Sequence, residues 1–220
     1  QTGLINTRFS ESGEVWTSFK DSLLATLLAN GNVAGNTGWD GVVYYGDSRT
    51  IGDSGTIDNN LTAAAATGTT LTSAEWLTTI NSVRTSFYGF NDDRGRPFNT
   101  QAINNLRAII HPDQERGSFE AMNQATFTGG SGASNEYGRR FMNGIDVLPY
   151  IASGDSDELY FSALGSVRKP FIYQERTPLE VLVLSGADDV AVNNGVMLLT
   201  RQRFILTYGE PRRSILFTVT

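Results

Sequence analysis

The stretch ELYFSALGSVRKPFIYQERTPLEVLVLS at residues 158–185 decides the fold class, because apolar, aromatic and β-branched residues dominate it. Such short apolar runs, separated by turn residues, are typical of β-strands. The periodicity of the run from Val196 to Leu206 does not decide between a bent strand and a helix. The strands predicted in this half of the chain are 144–151, 158–164, 169–176, 178–185, 195–209 and 212–220.

The first half of the chain predicts helices instead. Apolar residues at 15–28 recur with spacings of three and four, which gives one apolar stripe, and Asn30-Gly31 ends the pattern. The predicted elements are a helix at 10–30 capped by Ser10 or Ser12, a helix at 73–88, a strand at 106–112, and a short helix after Pro112 with Asp113 as its N-cap. Helices first and strands last indicate an α+β protein.

Residues 31–72 differ in amino-acid composition from the predicted helices and strands on either side of them. They are rich in Gly, Asn, Thr and Asp, and the strand-like VVYY at 42–45 interrupts them. This composition does not build a core of its own, so we expect an extended, loop-like segment. Because the apolar strip at 42–45 needs a partner, we expect the segment to contact neighbouring copies of the chain.

The composition excludes several classes of protein. The chain has 220 residues, 40% of them hydrophobic, which supports a sizeable core. It has no cysteine, so disulfides, thiolate metal sites and a cysteine nucleophile are impossible. The net charge is -6 and no run of basic residues occurs, so the chain is a poor candidate for binding nucleic acid through phosphate contacts. No apolar run is long enough to span a bilayer.

The N-terminal sequence QTGLINTRF has the features of neither a signal peptide nor a targeting helix. It also begins without methionine. We therefore expect a processed product or a piece of a longer precursor.

His111 is the first candidate for a catalytic residue, because it is the single histidine and lies at the end of a predicted strand. A catalytic base also needs an orienting acid and a nucleophile, and Asp113 is close only in sequence. The alternative is a histidine that caps or packs at the end of a strand, and we favour it.

Three further motifs have simpler structural interpretations. The pairs Asp92-Asp93 and Asp188-Asp189 lie in turn sequences, where aspartate bonds its own backbone. Neighbouring carboxylates in a turn point apart, whereas glycosidase chemistry needs two carboxyls facing each other across a cleft. The sequence GDSGT at 52–56 resembles a serine-protease nucleophile box, but no suitable histidine and aspartate precede it. We expect no catalytic residue, no cofactor and no metal.

Arginines crowd the C-terminal half, and only two lysines occur in the chain. Arginine favours rigid, two-point contacts with carboxylates, as at subunit interfaces. The alternative, a solvated strand face, is equally compatible with this distribution. The candidate interface residues are Arg139, Arg140, Arg168, Arg176, Arg212 and Arg213.

An ordered series of motifs is more specific than any of these residues. The series runs through FKDSLLATLLANGN (19–32), GWDGVVYYGDS (38–48), SAEWLTTINSVRTSF (73–87), GRPF (95–98), RAIIHPDQERGSFEAM (107–122), NGIDVLPYI (143–151) and RFILTYGEPRRSILFTV (203–219). The stretch KPFIYQER (169–176) also belongs to the series. Six of its residues match the pattern of one known family position by position: Lys169, Pro170, Phe171, Ile172, Gln174 and Arg176. Over residues 10–220 this order resembles the major head subunit of Mu-like phages, a branch of the Hong Kong 97 capsid fold.

The resemblance implies an α+β capsid subunit with a spine helix and two lobes. Residues 1–72 and 166–220 would form the peripheral lobe, with the spine helix at 10–30 and an extended loop. Residues 73–165 would form the axial lobe. Family members carry an N-terminal arm and an extended hairpin ahead of the spine helix, whereas fewer than ten residues precede it here. Cleavage, a fragment, or replacement by the 31–72 segment would each explain this departure.

The implied function is geometric. Hexamers and pentamers of the chain would tile an icosahedral phage head around double-stranded DNA, with a portal, possible decoration proteins and no membrane. The shell would assemble in the host cytoplasm and remain in the virion. The candidate arginines would then pair with carboxylates of neighbouring copies, such as Asp155, Asp157, Glu158, Asp188 or Glu210. The alternatives are an encapsulin-like shell that holds protein cargo and a β-rich hydrolase that uses His111.

Overall fold

The computed structural model describes residues 2–63, 70–123, 142–184 and 197–220. It divides the chain into two compact units, Gln1–Pro170 with Tyr208–Thr220 and Phe171–Thr207. The elements are α1 (Thr2–Ala29), β1 (Arg49–Thr50), β2 (Thr56–Ile57), β3 (Asn60–Ala63), α2 (Ser73–Gly89), β4 (Leu106–Ile110), α3 (Glu115–Asn123), β5 (Gly144–Val147), β6 (Glu158–Ala163), β7 (Phe171–Leu184), β8 (Met197–Tyr208) and β9 (Ser214–Val219). The predicted α+β fold class is confirmed.

Helix α1 begins eight residues earlier than predicted, and Ser10 and Ser12 lie inside it rather than capping it. A hydroxyl inside a helix can bond a carbonyl of the preceding turn, as Ser22 does to Phe19 O at 2.9 Å. A serine before an apolar stripe therefore does not fix where a helix begins. Only the end of the stripe is buried in the single chain, since Leu28 is inaccessible whereas Phe19 is exposed.

Five strands form one mixed sheet in the order β3-β9-β6-β4-β5. Strand β9 is parallel to β3 and antiparallel to β6. Strand β4 is antiparallel to β6 and parallel to β5. This sheet combines β3 and β9 from the predicted peripheral lobe with three strands of the predicted axial lobe. The division into lobes itself stays a prediction.

Helix α2 supplies one side of the hydrophobic core. A capping box starts it, in which the Thr72 hydroxyl accepts from the Glu75 N–H at 3.4 Å and the Glu75 carboxylate accepts from the Thr72 N–H at 2.7 Å. Trp76 and Phe87 are fully buried in the same core cluster as sheet residues, and the ring centres of Trp76 and Phe161 are 6.2 Å apart. The predicted helix at 73–88 and strand at 106–112 are therefore present.

Strands β7 and β8 form a separate two-stranded ribbon, and among the described residues they pair only with each other. The predicted strands 169–176 and 178–185 are a single strand, Phe171–Leu184, which continues through Pro178. Proline is tolerated here because each strand of a two-stranded ribbon has an outer edge without ladder partners. The described part of the ambiguous run from Val196 to Leu206 belongs to strand β8, Met197–Tyr208.

The segment 31–72 contains short strands within otherwise irregular backbone. Gly52 and Gly55 adopt positive φ angles of 55° and 72°, and they turn the chain between β1 and β2. Tyr44 and Tyr45, from the strand-like VVYY, are fully buried inside the same chain. The expected contact of this segment with neighbouring copies stays a prediction.

Candidate assembly surface and buried polar cluster

Tyr44 and Tyr45 anchor the loop after α1 to the C-terminal part of the chain. The Tyr44 hydroxyl donates to Pro170 O at 2.7 Å, and its ring stacks on Tyr208 with centres 4.4 Å apart. The Tyr45 hydroxyl lies 3.0 Å from the Ser214 hydroxyl. Burial raises the pKa of both tyrosines above the ordinary value. The two phenols therefore act as neutral hydrogen-bonding groups rather than as acids.

Arg49 is a fully buried cation beside these tyrosines. Its Nε lies 2.7 Å from the Asp40 carboxylate, and its Nη2 donates to Val43 O at 2.8 Å. Burial lowers the pKa of Arg49, and the Asp40 carboxylate opposes that shift. A buried charge needs such a partner and further hydrogen bonds. The ion pair therefore fixes the loop that carries Trp39 and Val42.

Asn59 joins three segments of the first unit. Its Oδ1 accepts from the Gly46 N–H at 2.9 Å. Its Nδ2 lies within donating distance of the carbonyls of Tyr44, Pro211 and Ser214, at 2.9, 3.1 and 3.2 Å. The side chain is fully buried. It thus satisfies backbone groups that the sheet leaves without ladder partners.

Arg212 and Arg213 lie inside the chain, where their partners come from the same subunit. The Arg212 Nε donates to Glu210 at 2.6 Å, and the Arg213 Nη1 donates to Asn99 Oδ1 at 2.7 Å. Both guanidinium carbons lie 4.1 Å from the centre of the Phe98 ring. Burial lowers the pKa of Arg213. These two arginines organise the turn that leads into β9.

The other candidate arginines differ in exposure. Arg168 is 66% exposed and lies 3.6 Å from Glu210, and Arg176 is exposed on β7. Arg139 and Arg140 lie outside the described residues, as does Asp188 among the predicted partners. The structure describes one copy of the chain and therefore no contact between copies. The interface role of the six arginines stays a prediction.

His111 has the structural role that was favoured over catalysis. It lies at the end of β4, and its Nδ1 accepts from the Asp113 N–H at 3.2 Å. His111 is the N-cap of a short 3₁₀ turn, Pro112–Gln114, and α3 follows at Glu115. The prediction that Asp113 is the N-cap is therefore wrong. The proline ring at 112 fixes the start of the turn two residues earlier than an N-cap at Asp113 would.

The turn motifs also bond their own backbone. Asp92 Oδ1 accepts from the N–H groups of Arg94 and Arg96 at 2.9 and 2.8 Å. These bonds, with the Arg96 guanidinium, lower the pKa of Asp92 to about 2. In GDSGT, the buried Ser54 hydroxyl accepts from Ile51 N–H at 2.9 Å and donates to Gly55 O at 2.8 Å. Asp188-Asp189 lies outside the described residues.

Each of the two units, described by itself, leaves large apolar side chains exposed. Within the described part of the chain, no group of three or more His, Asp or Glu is arranged to hold a metal ion. The exposed apolar residues include Val15, Phe19, Val33, Trp39, Tyr88, Phe119, Tyr150 and Val167 in the first unit and Ile172, Tyr173, Leu179, Val181, Leu199 and Ile205 in the ribbon.

Sequence reasoning missed Asn59, Arg49 and Glu158 as organising residues. Glu158 accepts from the Tyr160 hydroxyl and lies 3.4 Å from Asn32 Nδ2, so it ties β6 to the turn after α1. Burial raises the pKa of Glu158. The available signal was weak in each case, because a polar residue in a Gly-rich or strand-start context is ordinarily exposed.

Comparison with solved structures identifies the fold. The capsid of the cyanophage P-SCSP1u aligns with 97% of this chain and 65% of its own, with a TM-score of 0.60 and 11% identity. The capsid of an empty GTA particle aligns with 97% of this chain and 66% of its own, with a TM-score of 0.51 and 13% identity. A virus-like particle from Pyrococcus furiosus aligns with 72% of this chain and 56% of its own, at a TM-score of 0.43 and 12% identity.

The first two matches show that the chain has the fold of phage capsid subunits. The chain spans less than two thirds of the length of each of the three matched chains. No protein-family model and no curated protein sequence matches it. No helix in the described ranges is long and apolar enough to cross a membrane. The resemblance to the Mu-like branch stays a prediction.

Proposed function

We propose that this chain is a structural subunit of a phage head, in which many copies form a closed shell around double-stranded DNA. The observation that supports this most is the match to the cyanophage capsid over 97% of the chain at a TM-score of 0.60. Closed shells need surfaces that join copies through repeated contacts. The exposed apolar side chains on both units are suited to such contacts.

The chemistry of the described residues supports a structural rather than an enzymatic role. His111 bonds the backbone beside it, and Ser54 is buried in its own turn. The net charge of -6 also suits a shell that holds DNA without sequence-specific binding. A strongly basic lining would retain the DNA by phosphate contacts and resist its release.

The candidate arginines fall into two roles under this proposal. Arg168 and Arg176 are exposed and are the ones we place at subunit boundaries, opposite carboxylates of neighbouring copies. Arg212 and Arg213 are buried and hold the turn before β9 from within the chain. The proposal includes hexamers and pentamers, a portal, possible decoration proteins, assembly in the host cytoplasm and the lobe boundaries given above.

The test is the assembly state of the chain. We expect sedimentation velocity to detect pentamers, hexamers or larger particles, and negative-stain images to show closed shells. A stable monomer under particle-preserving conditions would overturn the proposal. Nuclease-protected DNA inside particles from the native source supports a phage head. Particles that contain only protein cargo would favour the encapsulin-like alternative instead.

A further inference from the structure

The β7–β8 ribbon has two unlike faces. Side chains alternate between the faces of a strand, so one contact across the ribbon identifies a whole face. Glu180 pairs with Arg201 at 2.6 Å, and Tyr173 packs on Phe204 with ring centres 5.4 Å apart. The face of Glu180 therefore holds the even-numbered residues of β7 and the odd-numbered residues of β8. We call this the basic face, and it includes Ile172, Arg176, Glu180, Arg201, Arg203 and Ile205.

The basic face combines cations with apolar side chains. Arg176, Arg201 and Arg203 are exposed, and Glu180 is the one carboxylate among the charged residues of this face in the described range. Ile172 and Ile205 are 48% and 56% exposed. Arginines among apolar side chains are typical of the centre of a protein interface. Phosphate contacts with a nucleic acid would not require the apolar part.

A two-stranded ribbon is marginally stable in water without a partner. Among the described residues, neither β7 nor β8 pairs with a strand outside the ribbon. The ribbon therefore gains stability from a surface that covers its apolar side chains. Such a surface also has to complement the positive charge that remains on the basic face after Arg201 pairs with Glu180.

The same chain carries a surface of opposite charge. Asp155, Asp157 and Glu158 follow one another from the end of a 3₁₀ turn to the first residue of β6, and all three are half-buried. We call them the acidic patch. The Asp155 and Asp157 carboxylates add to burial in raising the pKa of Glu158, so the three charges repel one another. Arginine from outside would relieve this repulsion.

We infer that the basic face of the ribbon docks on the acidic patch of a second copy of this chain. Because Arg201 already pairs with Glu180, Arg176 and Arg203 supply the excess positive charge that faces the carboxylates of the acidic patch. The isoleucines would be removed from water at the same contact. The inference rests on the proposed function, because a shell brings many copies into contact. It goes further by naming the two surfaces that meet.

The first experiment reverses the charges. We expect the Arg176→Glu/Arg203→Glu chain to associate at least tenfold more weakly than the wild type. We expect the same loss for the Asp155→Arg/Asp157→Arg chain. The chain with all four changes regains association, because the charges are again opposite. Arg94→Glu, at an exposed turn position outside both surfaces, is the matched control and keeps wild-type association. Circular dichroism melting checks that each chain is folded.

The second experiment uses the absence of cysteine from the chain. Arg203→Cys and a size-tagged Asp157→Cys chain are mixed and treated with a short bismaleimide, and we expect a covalent heterodimer. The control replaces Asp157→Cys by Arg94→Cys and gives none. Because this readout needs only two copies, a heterodimer in the absence of shells supports the docking while contradicting the proposed function.

Three outcomes overturn the inference even if shells form. One is wild-type assembly of the charge-reversed chains. Another is that the charge-reversed chains lose assembly, the chain with all four changes does not regain it, and no covalent heterodimer forms. The third is normal assembly with loss of encapsulated DNA, which would make the basic face a polyanion-binding surface.

Discussion

The hydroxyl of Tyr45 lies 3.0 Å from the hydroxyl of Ser214, which joins the loop after α1 to the first residue of β9. Ser214 also donates to Phe161 O on β6 at 3.2 Å. Since serine has one hydroxyl proton, the Tyr45 hydroxyl is the donor between the two side chains. A single buried serine therefore links three parts of the first unit.

Tyr45→Phe is expected to lower the free energy of unfolding by about 1 kcal/mol, because it removes one buried hydrogen bond and keeps the ring. Ser214→Ala should cost more, about 1–3 kcal/mol, since it leaves a buried phenol and the Phe161 carbonyl without this partner. Urea denaturation of both single variants and the double variant measures the coupling. Strictly additive losses would contradict the described contact.

Gly31→Ala is expected to destabilise the chain by about 1–3 kcal/mol through overpacking. A Cβ at Gly31 would lie 2.4 Å from the Tyr45 ring, which is buried and has no room to move aside. Gly13→Ala is the matched control, because a Cβ there meets nothing within 4 Å inside α1. We expect it to stabilise the chain by up to about 1 kcal/mol. Thermal unfolding of both variants checks the difference in sign.

Arg212→Ala is expected to cost about 3 kcal/mol or more, because it breaks a buried ion pair with Glu210. Arg168→Ala removes the longer, exposed contact with the same carboxylate and should cost less than about 1 kcal/mol. If Arg168 lies at a subunit boundary, its variant instead weakens assembly. Unfolding of the dissociated chain and sedimentation of the assembled chain separate these effects. Equal losses of stability would contradict the difference in burial.

Asp92 gives the chain a pH dependence in the acid range. Its folded pKa of about 2 lies below the ordinary value of 3.8, mainly because the Arg96 N–H and guanidinium bond the carboxylate. A lowered folded pKa contributes stability that is present above the unfolded pKa and is lost as the pH falls through about 2. The stability advantage of wild type over Asp92→Asn should therefore shrink between pH 4 and 2. An advantage independent of pH would contradict this assignment.

Local patterns predicted the elements that local physics determines. Helix α2 follows from its apolar spacing, and β4 follows from a short apolar run, whereas the capping box at Thr72 came only from the structure. The role of His111 as a cap was also predictable, since a histidine between a strand and a proline-led turn meets free N–H groups. The single strand through Pro178 was not, because only the ribbon's open edge makes proline acceptable there.

The partners of Arg212 and Arg213 could not be predicted from sequence. Asn99 lies more than a hundred residues from both arginines along the chain, and Phe98 is its neighbour. No local spacing reports such a contact. Asn59 was missed for the same reason, because its Pro211 and Ser214 acceptors are also distant in sequence. The burial of these residues is a property of the completed sheet.

The position of β9 between β3 and β6 has a consequence for the order of events on the ribosome. Both neighbouring strands are synthesised before the ribbon, and β9 only after it. Until β9 emerges, the nascent chain has a gap in its sheet and exposes the edges of β3 and β6. Pairing over such separations is slow and leaves these edges open to wrong partners. Folding of the first unit is thus timed by the last strand of the sheet to be translated.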